Sequence, residues 1–563
     1  MPADGNDPVG GIRDTTLIGS WDLAGDGRDE SGHDRHAIGI GDLAFGPSSH
    51  RSTERLVARL TGDGSHFEVP GASVGERDFT LTAWINIPGP TRTVIGDIAA
   101  MFDPRDRRGF SLGVHHSSPC GNHGNDRNLF FGIDAGSDVG WTDHGRPSDS
   151  ALMICALAVH DGDLYAATWE AGASNVGHVY RLARDRWEDC GAPSDANAVT
   201  RLAVHDGSLY AGVSRLRGGG SGMPDSPNQA PGGRVLRYAG GTDWSDCGAL
   251  DGADSIAALV PFDGDLHAIP MYSEGVFRLS EAGGWTSCGT PGRRLLALGA
   301  HAGSLYGAGN DHADVVSAIA QTAAGIVVPQ RVPEGGGGVF RHDGGTAWTS
   351  LGLQRDTTQV YSIETYASAM HIGTWPHGIV FRHGGEERWD SWGQVGDETE
   401  VMNLVAYNGK LYAGTLPGAE VHRLDDAGWQ TVGTLDRTPD VRYRRAASMV
   451  AFRGQLYCGT LPSGQVHSMA AGLVATHDRA LPTGWHHVAA VREGPAVALY
   501  VDGALVDRRT GEAGLTSADL TTASPLVLGG GPRAGFEGEL AGIRLFGRAL
   551  AGDEVASAAS RWP

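Results

Sequence analysis

The sequence predicts an all-β protein in which a ring of repeated four-stranded units interrupts a sandwich of two sheets. Three observations support this fold class. Glycine contributes 86 of the 563 residues, and these glycines separate short apolar runs, which indicates many tight turns. The middle of the chain repeats itself about every 40 residues. The two flanks lack this repeat, but they show alternating short strands with Asp-Gly turns.

The repeats are the first element to justify. One unit runs from Leu157 to Gly191 and the next from Leu202 to Gly248, each with an Asp-Gly turn between alternating runs. Such turns predict hairpins, and four strands per unit are typical of a β-propeller blade. Fourth-strand tryptophans mark seven units, at Trp141, Trp187, Trp244, Trp285, Trp348, Trp389 and Trp429.

The two ends of the repeat region complete each other. The last copy, from Met449 to Met469, lacks a fourth strand, whereas the strand at Trp141 has no first or second strand before it. We therefore expect the N-terminal strand to close the ring against the C-terminal copy. The result is a seven-bladed β-propeller, and its V-y-R and W-x-x-x-G strands resemble those of bacterial kelch-like propellers.

The flanks carry a second set of motifs. The N-terminal flank contains SWD at 20–22 and FTLTAW at 79–84, and the C-terminal flank contains WHHVA at 485–489, LYVDG at 499–503 and GELAGIRLF at 538–546. In this combination and order they resemble one bacterial laminin-G-like (concanavalin-like) domain, which implies a jelly-roll β-sandwich split by the propeller. The predicted parts are a disordered segment at 1–11, sandwich halves at 12–137 and 471–563, and the propeller at 138–470.

Composition excludes several function classes. The 66 acids and 44 bases give a net charge of −22, which disfavours nucleic acid as a partner. Lys410 is the one lysine, so a P-loop or Schiff-base enzyme is not expected. No apolar run approaches the roughly 18 residues of a membrane span. The polar start lacks a secretory signal, which predicts a cytoplasmic protein, or a secreted one if a leader has been removed.

The loops indicate where a site lies. Turns between first and second strands are uniformly short, whereas the loops between second and third strands vary, as at 214–231 and 310–335. Variable loops on a rigid repeat often carry function. We therefore expect the site on the long-loop face of the propeller.

Candidate residues on that face fall into two groups. For proton transfer we select His377, Tyr443 and His312. For substrate binding we select aromatic rings that can stack on sugars, and charged groups that include an arginine cluster suited to bidentate binding of a carboxylate; they are Trp169, Glu170, Arg215, Tyr272, Trp375, Arg437, Asp440, Arg442 and Arg445. Each group has a structural alternative: the arginines as salt bridges, the tryptophans as packing and His377 as a turn residue.

A metal site is a further expectation. Laminin-G-like domains often hold one structural calcium, and the resemblance suggests Asp26, Asp29 and Glu30 as ligands, with a solvated acidic loop as the alternative. Calcium prefers oxygen ligands. The chain has no C-x-x-C or H-x-x-x-H pair typical of zinc, and we expect no required cofactor.

The resemblances also suggest an activity. Seven-bladed propellers include polysaccharide lyases and a glycosidase family, so we expect an enzyme acting on an acidic, uronate-containing polysaccharide or oligosaccharide. In a lyase, Arg437, Arg442 and Arg445 would neutralise the carboxylate while His377 or Tyr443 removes the adjacent proton. A glycoside hydrolase would need carboxyl groups instead, available at Glu170, Glu274, Asp311 and Asp440. The alternative is a non-catalytic scaffold that binds a glycan or a protein.

Overall fold

The chain folds almost entirely into antiparallel strands, as the sequence predicts. A computed structural model describes residues 15–280, 283–310, 320–322, 325–327, 337–353, 357–511 and 519–562. Within these ranges there is one α-helix, Gly552–Ala559, and two short 3-10 turns, Pro119–Gly121 and Gly219–Ser221. The segment 1–11, expected to be disordered, lies outside the described residues.

Seven four-stranded antiparallel units make up the middle of the described chain, and we call them blades 1 to 7. Blade 1 joins both ends of the repeat region, with Arg445–Phe452, Gln455–Leu461 and the start of Val466–His477 pairing to the end of Asn125–Asp143. Blades 2 to 7 follow in chain order. Blade 2 contains Ala151–His160, Asp163–Glu170, Val179–Ala183 and Arg186–Asp189; blade 3 contains Ala198–His205, Ser208–Ser214, Arg234–Gly240 and Asp243–Ala249; and blade 4 contains Ile256–Phe262, Asp265–Pro270, Phe277–Leu279 and Trp285–Ser287. Blade 5 contains Leu295–His301, Ser304–Gly309, Gly338–Gly344 and Ala347–Leu353; blade 6 contains Gln359–Tyr366, Ala369–Trp375, Ile379–His383 and Trp389–Gln394; and blade 7 contains Glu400–Tyr407, Lys410–Leu416, Glu420–Asp425 and Gly428–Thr434. A two-stranded hairpin, Ala320–Thr322 with Gly325–Val327, lies between the second and third strands of blade 5.

The blades form a closed ring. The first strand of each blade contacts the first strand of the next, and blade 7 contacts blade 1, which contacts blade 2. The repeated tryptophans join neighbours as well, because each indole N–H donates to a backbone carbonyl of the preceding blade or the loop that follows it, at 2.8 to 3.1 Å. Trp141 of blade 1 donates to the carbonyl of Val432 in blade 7, and Trp187 of blade 2 donates to the carbonyl of His144, which follows the fourth strand of blade 1. The tryptophan spacing in the sequence therefore reflects a real contact between blades.

Two further sheets form the sandwich, and both contain strands from the two ends of the chain. One sheet contains Leu17–Trp21, Ala44–His50, Thr53–Thr61, Phe79–Ile87, Gly484–Glu493, Ala496–Val501, Ala504–Thr510 and Glu537–Phe546, and the other contains Ile38–Ile40, His66–Val69, Ile95–Asp103, Arg108–Ser117 and Leu526–Leu528 with parts of Asn125–Asp143 and Val466–His477. Trp21, Phe79, Phe110, Phe131 and Phe536 belong to the apolar core that this sandwich buries. Asn125–Asp143 and Val466–His477 cross the predicted boundaries at 137/138 and 470/471 without a break.

The sandwich packs against the propeller face that carries the short turns. In blade 2 the amide of Gly162 donates to the carbonyl of Asp478 at 2.8 Å. In blade 7 the buried ammonium of Lys410 donates to the carbonyl of Pro104 at 2.6 Å and pairs with Asp425 at 3.0 Å. The single lysine is thus committed to the interface between the two parts of the protein.

One sandwich loop, 118–124, enters the centre of the ring, and we call it the plug loop. Its 3-10 turn contacts the first strands of blades 1, 4, 5, 6 and 7. The Asn122 side chain donates to the carbonyl of Leu157 and accepts from the amide of Leu202, both at 2.7 Å. His123 also pairs in parallel with Ala203. The plug loop therefore closes the axis of the propeller from the sandwich side.

Candidate functional site

A repeated β-bulge turns one side chain from each first strand toward the axis. In every blade the register between the first and second strands shifts by one residue at the same repeat position, five residues before the first strand ends. A bulge leaves its extra residue unpaired and re-aims the side chain. The seven bulge residues are Ala447, Cys155, Thr200, Ala257, Leu296, Tyr361 and Met402 in blades 1 to 7.

These residues define an axial cavity of about 430 Å³. Six of the seven bulge residues line it, all except Ala257, and Cys120 of the plug loop lies at its base. The volume is within the range of small-molecule sites, roughly 300 to 1,000 Å³. The lining combines thiol, thioether and aliphatic groups with polar and charged side chains.

The charges around the cavity are predominantly positive. Arg201, Arg217, Arg294 and Arg445 line it, against the single carboxylate of Asp225 among the described lining residues. Arg201 is buried and donates to the carbonyl of Thr200 at 2.7 Å. In a chain of net charge −22, this is a local concentration of guanidinium groups, and such groups bind carboxylates and phosphates well.

Burial changes the ionisation of groups around the base of the cavity. It raises the pKa of the Glu400 carboxyl to about 7, against the opposing positive charge of Arg445. It also raises the pKa of the Cys155 thiol to about 12 and that of the Cys120 thiol above its usual range. Both thiols are therefore protonated at neutral pH and act as weakly polar packing groups rather than as nucleophiles.

The long loop of blade 3, 215–233, extends over the cavity, and we call it the cover loop. Its Gly220 carbonyl accepts a hydrogen bond from Arg445 Nη2 of blade 1 at 2.8 Å. On the other side its Arg217 guanidinium lies over the Tyr272 ring, 4.4 Å from the centroid, and the Arg217 amide donates to the Tyr272 hydroxyl at 3.1 Å. The first part of the cover loop is thus held, at Arg217 and Gly220, by two residues that line the cavity.

Two of the predicted binding residues, Tyr272 and Arg445, line this cavity. Two others, Trp169 and Arg442, lie beside the cover loop or the chain near it. Trp169 is buried with Leu216 and Met223 of the cover loop, and Arg442 lies over the Tyr443 ring at 5.0 Å.

The other predicted residues lie outside the cavity lining. Tyr443 is buried in a cluster with Met402, and burial raises its pKa. Glu170 is buried and accepts from the Thr168 and Ser148 hydroxyls at 2.7 and 3.0 Å. Trp375 is also buried.

Four further positions complete the described set. Arg215 pairs with Asp254, and His377, Arg437 and Asp440 are exposed. His377 is exposed whereas Tyr443 is buried, and neither residue lines the axial cavity. His312, together with Asp311, lies outside the described residues.

The acids chosen for calcium have different environments. The buried Asp29 carboxylate accepts from the amides of Ser20, Ser31 and Arg35 at 2.9 to 3.0 Å and from the Ser31 hydroxyl at 2.8 Å. These bonds hold its pKa below the usual value despite burial. Asp26 and Glu30 are exposed. Asp29 therefore organises its own loop, and the calcium assignment stays a prediction.

Sequence reasoning missed most of the cavity residues because it looked for function in loops. Thr200, Tyr361 and Met402 lie within strands, in the runs AVTRLAVH, QVYSIETY and EVMNLVAY. Their signal is a fixed repeat position, combined with polar residues such as Arg201 and Glu400 where an apolar first strand is expected. Alignment of the repeats at that position would have identified the ring of bulge residues.

Comparisons with known proteins agree with the fold class. Residues 454–556 match a laminin-G family profile described as the concanavalin A-like lectin/glucanases superfamily. No curated protein sequence matches the chain. The family match supports a laminin-G-like domain, whereas the resemblance to polysaccharide lyases and glycosidases gains no support.

Several solved structures are similar to the chain at low identity. A streptogramin B lyase structure is 10% identical with a TM-score of 0.44, over 59% of this chain and 97% of that one. Virginiamycin B lyase from Staphylococcus aureus is 10% identical with a TM-score of 0.41, over 59% and 99%. The WD40 β-propeller domain of Doa1 is 11% identical with a TM-score of 0.36, over 59% and 97%.

Finally, no helix among the described residues is long and apolar enough to cross a membrane.

Proposed function

We propose that the protein binds a small anionic organic molecule in the axial cavity. The observation that carries this proposal is the joint lining of a 430 Å³ space by four arginines and by the ring of bulge residues. Guanidinium groups attract carboxylates and phosphates and can bind them through paired N–H donors. Leu296, Met402 and Cys155 supply an apolar base for the rest of the molecule.

Arg445 has the central role in this proposal. It lines the cavity, holds the Gly220 carbonyl of the cover loop at 2.8 Å and lies close enough to Glu400 to affect its pKa. A bound anion next to Arg445 would therefore be sensitive to the ionisation of Glu400. The cover loop would in turn restrict exchange of the ligand with solvent.

The test is a binding screen with defined anions. Glucuronate, benzoate and inorganic phosphate are titrated by calorimetry into wild type, Arg445→Gln and Arg437→Gln. Loss of a desolvated charged partner costs about 2–5 kcal/mol, so the dissociation constant should rise more than tenfold in Arg445→Gln. Arg437 is exposed and outside the cavity lining, so its variant should bind as wild type does. Equal binding by all three proteins would refute the assignment.

A second candidate is the β-elimination of an acidic glycan at the mouth of the same cavity. Tyr272 under the Arg217 guanidinium favours it, because a phenol and a cation lie together where a chain end can enter. Burial raises the pKa of Tyr272, however, so its phenolate would need help from the substrate or a second group. Ultraviolet absorbance of unsaturated products from uronate polysaccharides and oligosaccharides tests this candidate. Binding without such products leaves a non-catalytic glycan-binding or scaffold role.

A further inference from the structure

Two imidazoles and one carboxylate meet where the plug loop leaves the sandwich. His116, His123 and Asp126 place one ligand atom each within 4.8 Å of one another, and no other three such residues do so in the described part of the chain. Their exposed fractions are 7%, 1% and 9%. The group is separate from the axial cavity lining.

The separations suit a tetrahedral ion. Asp126 Oδ1 lies 3.0 Å from His116 Nδ1 and 3.7 Å from His123 Nε2. Zinc binds nitrogen and carboxylate oxygen at about 2.0–2.2 Å in tetrahedral geometry, which places neighbouring ligand atoms roughly 3.3 Å apart. The two measured distances bracket that value.

The imidazole nitrogens that face Asp126 are not occupied by hydrogen bonds to other groups. His116 Nε2 lies 2.9 Å from the Thr91 hydroxyl, which orients the ring and directs Nδ1 toward Asp126. An outer partner of this kind is usual for a metal-binding histidine. His116 Nδ1 and both ring nitrogens of His123 are buried without a hydrogen-bond partner. A contact with Asp126 would account for His116 Nδ1 and, at 3.7 Å, for His123 Nε2. It would still leave the buried His123 Nδ1 without a partner, which is costly if that nitrogen carries a proton.

A small void beside the two histidines provides room for a fourth ligand. It measures about 20 Å³, enough for one water, and is lined by His116, His123 and Glu364 among others. The Glu364 Oε2 atom is also buried without a hydrogen-bond partner. A water in this void would therefore have a carboxyl group to bond.

We propose that His116, His123 and Asp126 bind one Zn²⁺ ion, with a water in the adjacent void as the fourth ligand. Two imidazoles and a carboxylate favour zinc or a similar transition metal over calcium or magnesium. The ion would join Arg108–Ser117 and Asn125–Asp143 of the sandwich to the plug loop, whose His123 amide donates to the Leu202 carbonyl of blade 3 at 3.1 Å. This site does not depend on the function proposed for the axial cavity.

The sequence contains the pattern H-x6-H-x2-D at 116–126. Its histidine spacing is wider than the H-x-x-x-H pair sought in the sequence, which explains why zinc was not expected. The 3-10 turn at Pro119–Gly121 reverses the chain direction, and the two imidazole centroids then lie 4.5 Å apart.

The test measures zinc in the full-length protein produced without a metal-binding tag. Elemental analysis after dialysis should find about one zinc per chain in wild type, and much less in Asp126→Asn and His123→Gln. His178→Gln is the matched control, because His178 and Asp189 pair at 2.9 Å on the surface and no third ligand is grouped with them among the described residues. It should retain the zinc of wild type.

Two measurements on wild type keep the test independent of variant folding. X-ray absorption of the zinc-loaded protein should show nitrogen and oxygen ligands with imidazole scattering and no sulfur. Removal of zinc with a strong chelator should lower the unfolding midpoint, because ligands of the native state stabilise it. Absence of stoichiometric zinc in wild type supplied with the ion would overturn the proposal, and so would sulfur coordination or full zinc retention by the folded variants.

Discussion

Replacement of Glu400 by Gln should stabilise the protein above neutral pH. Glu400 is fully buried near the axial cavity, and burial raises its pKa from 4.5 to about 7. One buried oxygen, Oε1, has no hydrogen-bond partner. The carboxylate form therefore costs folding free energy that a neutral amide of the same shape avoids.

The size and sign of the effect follow from the pKa. A change from 4.5 to about 7 corresponds to about 3 kcal/mol, since one pKa unit equals about 1.4 kcal/mol. The unfolded chain loses this proton near pH 4.5 and the folded chain near pH 7, so the folded state binds more protons between these values. The free energy of unfolding therefore falls by about 3 kcal/mol as the pH rises through that window.

The assay compares unfolding midpoints at pH 5 and pH 8. Glu400→Gln should gain stability relative to wild type at pH 8 and little at pH 5. The exposed Glu386→Gln supplies the control, because it removes the same charge without burial. Other buried acids titrate equally in wild type and variant, so the difference isolates Glu400. A variant that is no more stable than wild type at pH 8, or a gain of equal size at both pH values, would refute the reasoning.

Two further substitutions test the ring and its plug. Trp187→Phe keeps most of the packing but loses the hydrogen bond to the His144 carbonyl. It should therefore lower the free energy of unfolding by about 1 kcal/mol. Calorimetry that finds no destabilisation would contradict a role for these bonds between blades. Asn122→Ala leaves the Leu157 carbonyl and the Leu202 amide without their side-chain partner in a buried position. It should therefore lower the free energy of unfolding by about 2–5 kcal/mol, together with the unfolding midpoint. An unchanged midpoint would contradict a stabilising role for the plug loop.

The sequence predicts the architecture well because repeats and turns are local signals. Tryptophan spacing identifies the units, and the incomplete first and last copies indicate that strands near Trp141 and Met469 meet, as Asn125–Asp143 and Val466–His477 do. The plug loop could not be predicted, because its partners Leu157 and Leu202 belong to the propeller, and only the closed ring brings their first strands to the axis. Contacts of this kind form only in the assembled ring and produce no repeating pattern in the sequence.

The site was harder to predict because the bulges separate sequence position from side-chain direction. In a regular strand, side chains alternate between the two faces, so the faces of Tyr361 and Met402 would follow from those of their neighbours. The unpaired residue in each first strand interrupts this alternation and changes which side chains reach the axis. Long loops then contribute a cover rather than the whole site, as the bond between Arg445 and Gly220 shows. Under the proposed function, the strand interior would therefore determine what the cavity binds, and the cover loop would determine how easily the ligand enters. Substitution at a bulge residue, such as Met402→Ala, should accordingly change ligand selectivity more than substitution of the exposed Arg437.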